Sequence, residues 1–161
     1  MDLPKRKPTR LKEYDYSTPG AYFITICVKD KKHLLSKISN TVGEGLCALP
    51  KHELTPIGKE VEKSIQYINN DYIGVKIDKY VIMPNHIHLI VILDDAGGHG
   101  NTPLQNVIGQ LKSYTTNKFA DTLWQRSYHD HIIRGEKDYK KIWEYIDTNV
   151  IKWEQDCFYN N

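Results

Sequence analysis

The sequence predicts an α+β sandwich, an antiparallel sheet with helices packed on one face. Three observations predict it. Runs rich in β-branched and aromatic residues alternate with amphipathic stretches in the order β-α-β-β-α-β-α. The two central strands are joined by only Pro84-Asn85, which makes them an antiparallel pair. Thr-Pro pairs at 55–56 and 102–103 open one helix in each half. That succession is a ferredoxin-like, split-βαβ arrangement.

The first strand runs from Ala21 to about Val28, after a turn at Ser17-Thr18-Pro19-Gly20, and Tyr22-Phe23-Ile24-Thr25-Ile26 supply its β-forming side chains. Residues 36–50 carry Gly43, Gly45 and Pro50 with few strong apolar signals and read as a loop with room for a short strand. Thr55 caps a helix that runs to about Ile68, with Pro56 at its first position and Ile57, Val61, Ile65 and Ile68 along one side. Strands follow over Val75 to Met83 and His86 to Leu93. The second of them, HIHLIVIL, is apolar on both parities after its histidines, as a central strand covered on both faces should be. Asp94 to Asn101 is a glycine-bearing loop. A helix from Pro103 to about Ala120 presents Leu104, Val107, Ile108, Leu111 and Thr115 on one side. A strand at His129 to Arg134, a helix from about Lys137 to Val150 and a polar tail complete the chain.

The 161 residues suit one domain, 1–161, with a basic N-terminal arm (1–13) and a short polar C-terminal tail (152–161). Hydrophobic residues at 40% and charged residues at 26% exclude a disordered or fibrous protein. No apolar run approaches the ~20 residues of a membrane span, and MDLPKRKPTR lacks an apolar signal core, so no membrane association and a cytoplasmic location are expected. Net charge is only +2, from 22 basic and 20 acidic residues. The arm holds Lys5, Arg6, Lys7, Arg10 and Lys12 against Asp2 and Glu13, a balance of +3 that leaves the rest at −1. Such an arm suits phosphate contact, or simply a solvated terminus. Cys27, Cys47 and Cys157 form neither a disulfide framework nor a zinc pattern.

The sharpest chemical feature is His86-Ile87-His88. On a strand, residues two apart share a face, so the two imidazoles lie together and can take a divalent metal with positions left open for substrate. His129-Asp130-His131 sets a second such pair on another strand, either a further half-site or an edge strand with outward polar residues. On the helix after Pro103, Tyr114 lies among Gln110, Lys112, Asn117 and Lys118. A phenol with an ordinary pKa near 10 needs a polarised electrophile or a neighbouring cation to act as a nucleophile. The chain has 11 tyrosines, and no periodicity selects this one.

Four segments together are distinctive: YDYSTPGAYFITICV (14–28), YVIMPNHIHLIVIL (80–93), NVIGQLKSYTTNKF (106–119) and LWQRSYHDHIIRGEKDYKKIWEYIDTNVIKW (123–153). On these the chain resembles the REP-associated tyrosine transposases, of the single-tyrosine, IS200-like class with a His-hydrophobic-His metal site. The resemblance implies His86 and His88 as metal ligands and Tyr114 as the nucleophile. It also implies a third polar ligand, commonly Gln or Asn, one turn after the nucleophile. That position is Lys118 here, which leaves Asn117 just before it as the candidate. The implied cofactor is Mg²⁺ or Mn²⁺. The implied reaction is cleavage and rejoining of single-stranded, hairpin-forming DNA through a 5′-phosphotyrosine, by a monomer or a homodimer. Arg10, Lys12, Lys112, Lys118 and Arg126 are the expected phosphate contacts, and Tyr22, Trp124 and Tyr128 are candidates for base stacking, with core packing the competing role for Tyr22. Lys118 at the ligand position also leaves room for a hairpin-binding protein that keeps the fold without cleaving, and the four strand histidines for a metallohydrolase.

Overall fold

The computed structural model describes residues 10–40, 49–95, 103–119 and 121–159. In chain order the elements are β1 (Gly20–Cys27), β2 (Ser36–Ser39), β3 (Lys51–Leu54), α1 (Pro56–Asp71), β4 (Val75–Ile82), β5 (His86–Leu93), α2 (Leu104–Thr116), β6 (His129–Ile133) and α3 (Gly135–Thr148). Single 3₁₀ turns lie at Lys29–Lys31 and Trp153–Gln155. Strands β4, β5, β1 and β6 form one sheet in that order, with every neighbouring pair antiparallel. Numbered among themselves, the four run fourth–first–third–second from one edge to the other, which is the split-βαβ order. The segment read as a loop holds a second, two-stranded sheet, β2 with β3. Residues 96–102 and 1–9, with the loop glycines, Thr102 and most of the basic arm, lie outside the described residues.

Alternation along β5 decides where everything else packs. Ile87, Leu89, Val91 and Leu93 face one side and join Ile24 and Ile26 of β1, Val61, Ile65 and Ile68 of α1, and Leu104, Val107, Ile108 and Leu111 of α2. Each such side chain, fully buried, contributes roughly 1.5–3 kcal/mol. Ile90 faces the other side and joins Val81 and Met83 with Ile142 and Ile146 of α3 and Trp153 beyond it. Helices α1 and α2 therefore form the expected layer, and α3 covers the opposite face. The doubly apolar run of β5 demanded such a cover.

Local chemistry fixes the helix positions. The Thr55 hydroxyl accepts the Gly58 N–H at 3.1 Å and donates to the Leu34 carbonyl at 2.6 Å, so it caps α1 and ties it to the preceding segment. Gly58 is required there, because a Cβ would collide with the Leu35 carbonyl oxygen. A bulge between Ile77 and Lys79 turns two consecutive residues of β4 towards α3: Asp78 accepts from the Tyr139 hydroxyl and Lys79 pairs with Asp147 at 2.6 Å. Gly135, at φ +84°, makes the turn from β6 into α3. Among the described residues, no helix is long and apolar enough to cross a membrane.

Candidate active site

The His86 and His88 side chains leave β5 on the α3 face. They lie across from Cys27 and Thr25 of β1, and their Nε2 atoms are 3.1 Å apart. Their outer nitrogens are both engaged: His86 Nδ1 with Asn85 Oδ1 and His88 Nδ1 with Thr25 Oγ1, each at 2.8 Å. Both rings are buried. Burial, with Lys31 adding to it, holds His86 down to about 3; burial and the neighbouring His86 hold His88 at about 3 against the opposing pull of Asp156. Both imidazoles are therefore neutral near pH 7, with lone pairs to offer a metal ion.

Two further groups reach this pair and a third adjoins them, all from α3 or the segment after it. The Tyr145 hydroxyl is 3.4 Å from His88 Nε2, and its ring meets the His88 ring edge-on at 5.2 Å. Asp156 Oδ2 is 3.8 Å from His86 Nε2, and His86, His88 and Asp156 offer ligand atoms within 4.8 Å of one another, a group that could hold a metal ion. Asn149 is 3% exposed; its amide nitrogen donates to Asp156 Oδ2 at 3.1 Å, while its buried Oδ1 has no hydrogen-bond partner among the described residues. Two imidazole nitrogens, a carboxylate and an orphaned amide oxygen form a donor set that suits a divalent ion of the Mg²⁺–Mn²⁺ kind. Aromatic rings wall the group: Phe23 stacks on His88 at 5.2 Å, and Phe158 lies 4.4 Å from the His86 ring. The segment read as a polar tail is thus part of the site, with Trp153 buried beside His86.

Tyr114 is not brought to the histidines. Its ring stacks on Tyr67 of α1 at 6.2 Å, with Lys118 Nζ 5.7 Å from the ring centre, on the helix layer that covers the other face of the sheet. This corrects the expectation that it faces the metal pair, and the cause is the parity of β5. Asn117 ends α2, exposed, and is likewise remote from His86 and His88. Lys112 is half-buried and committed: its ammonium donates to the carbonyls of Gln125, Arg126 and Ser127 at 2.9, 3.3 and 3.4 Å, so it orders a loop. Arg126 is exposed. Arg10, stacked 4.7 Å over Tyr128, and Lys12 line a cavity of about 430 Å³ beside β6 with His131 and Arg134. His131 pairs with Asp138 at 2.9 Å and His129 is exposed, so the four strand histidines do not converge. The proposed stacking residues are structural: Tyr22 and Tyr128 are buried, and the Trp124 indole donates to Thr115 Oγ1 at 2.7 Å.

Tyr145, Asn149 and Asp156 are the residues that sequence reasoning passed over. One signal could have found the first two. A tyrosine with an amide four residues later is the expected nucleophile–ligand spacing, and Tyr145 with Asn149 meets it where Tyr114 with Lys118 does not.

No family model matches the chain. An uncharacterized protein of Haemophilus influenzae is 36% identical over 176 residues, covering 96% of this chain and 93% of the relative, which places the two in one family. A REP-associated tyrosine transposase of Escherichia coli is 27% identical over 77 residues, 48% of this chain and 45% of the relative. Among solved structures, a REP-associated tyrosine transposase bound to a REP hairpin shares the fold, with a TM-score of 0.63 at 20% identity over 89% of this chain and 73% of that one.

Proposed function

We propose that this chain, which belongs to the REP-associated, IS200-like tyrosine transposase family, is a metal-dependent endonuclease and strand transferase for single-stranded, hairpin-forming DNA, with Tyr145 as its nucleophile. The observation that carries the reading is the Tyr145 hydroxyl 3.4 Å from His88 Nε2, with Asn149 Oδ1, unpartnered among the described residues, one helical turn further on. His86, His88 and Asn149, with Asp156 beside them, would hold the ion. When bound, a divalent cation supplies positive charge to a non-bridging phosphate oxygen and to a nearby phenolate.

The chain's own residues do the rest. Burial, and the Asp156 carboxylate next, push the Tyr145 phenol above its ordinary value, so without a cation it stays protonated and inert. Helix α3, pinned to β4 through Asp78 and Lys79, fixes where the phenol oxygen stands. Attack of that oxygen on phosphorus forms the Tyr–O–P bond as the P–O3′ bond breaks. The phenol proton leaves, and the 3′-oxygen departs as a hydroxyl after taking up a proton. No water is consumed, so a second 3′-hydroxyl can reverse the step and join strands.

The test is adduct formation with a hairpin oligonucleotide and Mn²⁺ or Mg²⁺, read on a denaturing gel. The parent and Tyr114→Phe are expected to form a covalent protein–DNA species, and Tyr145→Phe none. An adduct from Tyr145→Phe at the parent's level would overturn the assignment. Lys118 was the one feature in favour of a cleavage-defective hairpin binder, and it loses that weight once the tyrosine in question is Tyr145.

A further inference from the structure

The two histidines are held at their outer nitrogens by partners of different chemical kind. Asn85 is 1% exposed, and its amide nitrogen donates to the Phe158 carbonyl at 2.8 Å and to the Lys31 carbonyl at 3.5 Å. These acceptors fix the amide's orientation, since a flipped amide would set oxygen against oxygen. Asn85 Oδ1 therefore faces His86 Nδ1 purely as an acceptor. Nδ1 carries the proton, and Nε2 of His86 keeps its lone pair. The two Nε2 atoms are 3.1 Å apart; in the metal-free protein two lone pairs at that distance repel, and with His86 Nε2 unprotonated a hydrogen bond between them needs His88 Nε2 as its donor. His88 Nδ1 is then the acceptor of the Thr25 hydroxyl. An amide oxygen can only accept, whereas a hydroxyl can donate or accept.

We propose that Asn85 and Thr25 are positioning residues of the metal centre with unlike tasks. Asn85 locks His86 with its lone pair already aimed inward, and Thr25 lets His88 move its N–H from Nε2 to Nδ1 as a divalent cation enters. Protons balance: Nε2 gives one to water, Nδ1 takes one from water, and the Thr25 hydroxyl turns from donor to acceptor. The proposal rests on the metal-centre reading, but the tautomers are measurable with no metal and no DNA present.

The experiment is long-range ¹⁵N–¹H correlation on histidine-labelled full-length protein, metal-free and then with Mg²⁺, alongside Mn²⁺ titration calorimetry of Thr25 variants. Metal-free protein is expected to show His86 as the Nδ1–H tautomer and His88 as Nε2–H; with Mg²⁺ both become Nδ1–H. Thr25→Val removes the hydroxyl at nearly constant shape and is expected to weaken Mn²⁺ binding roughly 10–100-fold, the usual effect of losing an outer partner. Thr25→Ser is expected to recover most of it. His86 found as Nε2–H in the metal-free parent overturns the role of Asn85. Thr25→Val binding Mn²⁺ as tightly as the parent overturns the role of Thr25. A parent that binds neither ion removes the metal-centre reading and the switch with it, while its metal-free spectrum still decides whether Asn85 locks His86.

Discussion

Asn149→Asp is expected to make the stability of this protein depend on a divalent ion. The Asn149 amide nitrogen lies 3.1 Å from Asp156 Oδ2. The substitution sets a second carboxylate oxygen in its place, in a pocket where Asn149 is 3% exposed. Two unit charges at that separation repel by about 5 kcal/mol at an effective dielectric constant near 20. The pair can escape by protonating one carboxyl, which for a group of ordinary pKa near 4 costs about 4 kcal/mol at pH 7, so the penalty lies at or below that figure. A chain of this size shifts its midpoint roughly 2–4 °C per kcal/mol, so a metal-free loss of up to about 8–16 °C follows. An ion at a hundredfold its dissociation constant restores about 2.7 kcal/mol. Differential scanning calorimetry with and without Mn²⁺ should therefore show a larger metal-induced rise in the variant than in the parent. The sign with pH follows as well: as pH falls the added carboxyl takes a proton and can donate to Asp156, so the metal-free penalty shrinks. A metal-free midpoint equal to the parent's, or a rise with Mn²⁺ no larger than the parent's, would refute the arrangement of donors described here.

Other positions test the frame and the surface. Gly58→Ala should lower the midpoint through overpacking against the Leu35 carbonyl, at a cost of about 1–3 kcal/mol in chemical unfolding. Trp124→Phe removes the indole donor to Thr115 Oγ1 and should cost about 1 kcal/mol in the same assay. Lys112→Met keeps the stem but not the ammonium that gathers three carbonyls; a charged hydrogen bond of about 1.5–3 kcal/mol predicts roughly tenfold to hundredfold faster amide exchange at residues 125–128. Binding of single-stranded DNA, measured across a salt series, should be shallow. With Lys112 committed and two or three phosphates met by residues such as Arg10, Lys12 and Arg126, the log–log slope is about −1.4 to −2.1 at −0.7 per phosphate.

Most of the fold was legible because each signal was local. The Thr55-Pro56 helix start, the Pro84-Asn85 joint and the apolar spacing of Val61, Ile65 and Ile68 act within a few residues, and the structure has α1 and the β4–β5 pair where they point. The β2–β3 ribbon was missed because SKIS and KHEL are short and polar, with exposed or half-buried residues at most positions. Such strands are held by pairing and by what they touch, such as the His52 ring donating to the Ile82 carbonyl at 2.8 Å, rather than by an apolar pattern. The tail was missed for the opposite reason. Its Trp153 and Phe158 are too few to register as a core segment, yet they fill the space over His86.

The histidine pair was legible and the proposed nucleophile was not, and one physical fact explains both. Period-two alternation on a strand places His86 and His88 on one face whatever the rest of the chain does. Which helix covers that face is a long-range outcome, set by where α3 docks after β6 rather than by the apolar spacing around Tyr114. The sequence did hold a constraint that crosses elements: β5 is apolar on both parities, so helices must cover both faces, and with α1 and α2 on one face α3 must take the other. Any side chain on α2 is then separated from His86 and His88 by the sheet itself, whereas α3 brings Tyr145 and, one turn on, Asn149 over them. On the proposed assignment of Tyr145, the lysine at the expected ligand position after Tyr114 marks the wrong helix rather than a damaged site. The resemblance asks for an amide one turn after the nucleophile, and the only tyrosine on α3 followed by an amide at that spacing is Tyr145.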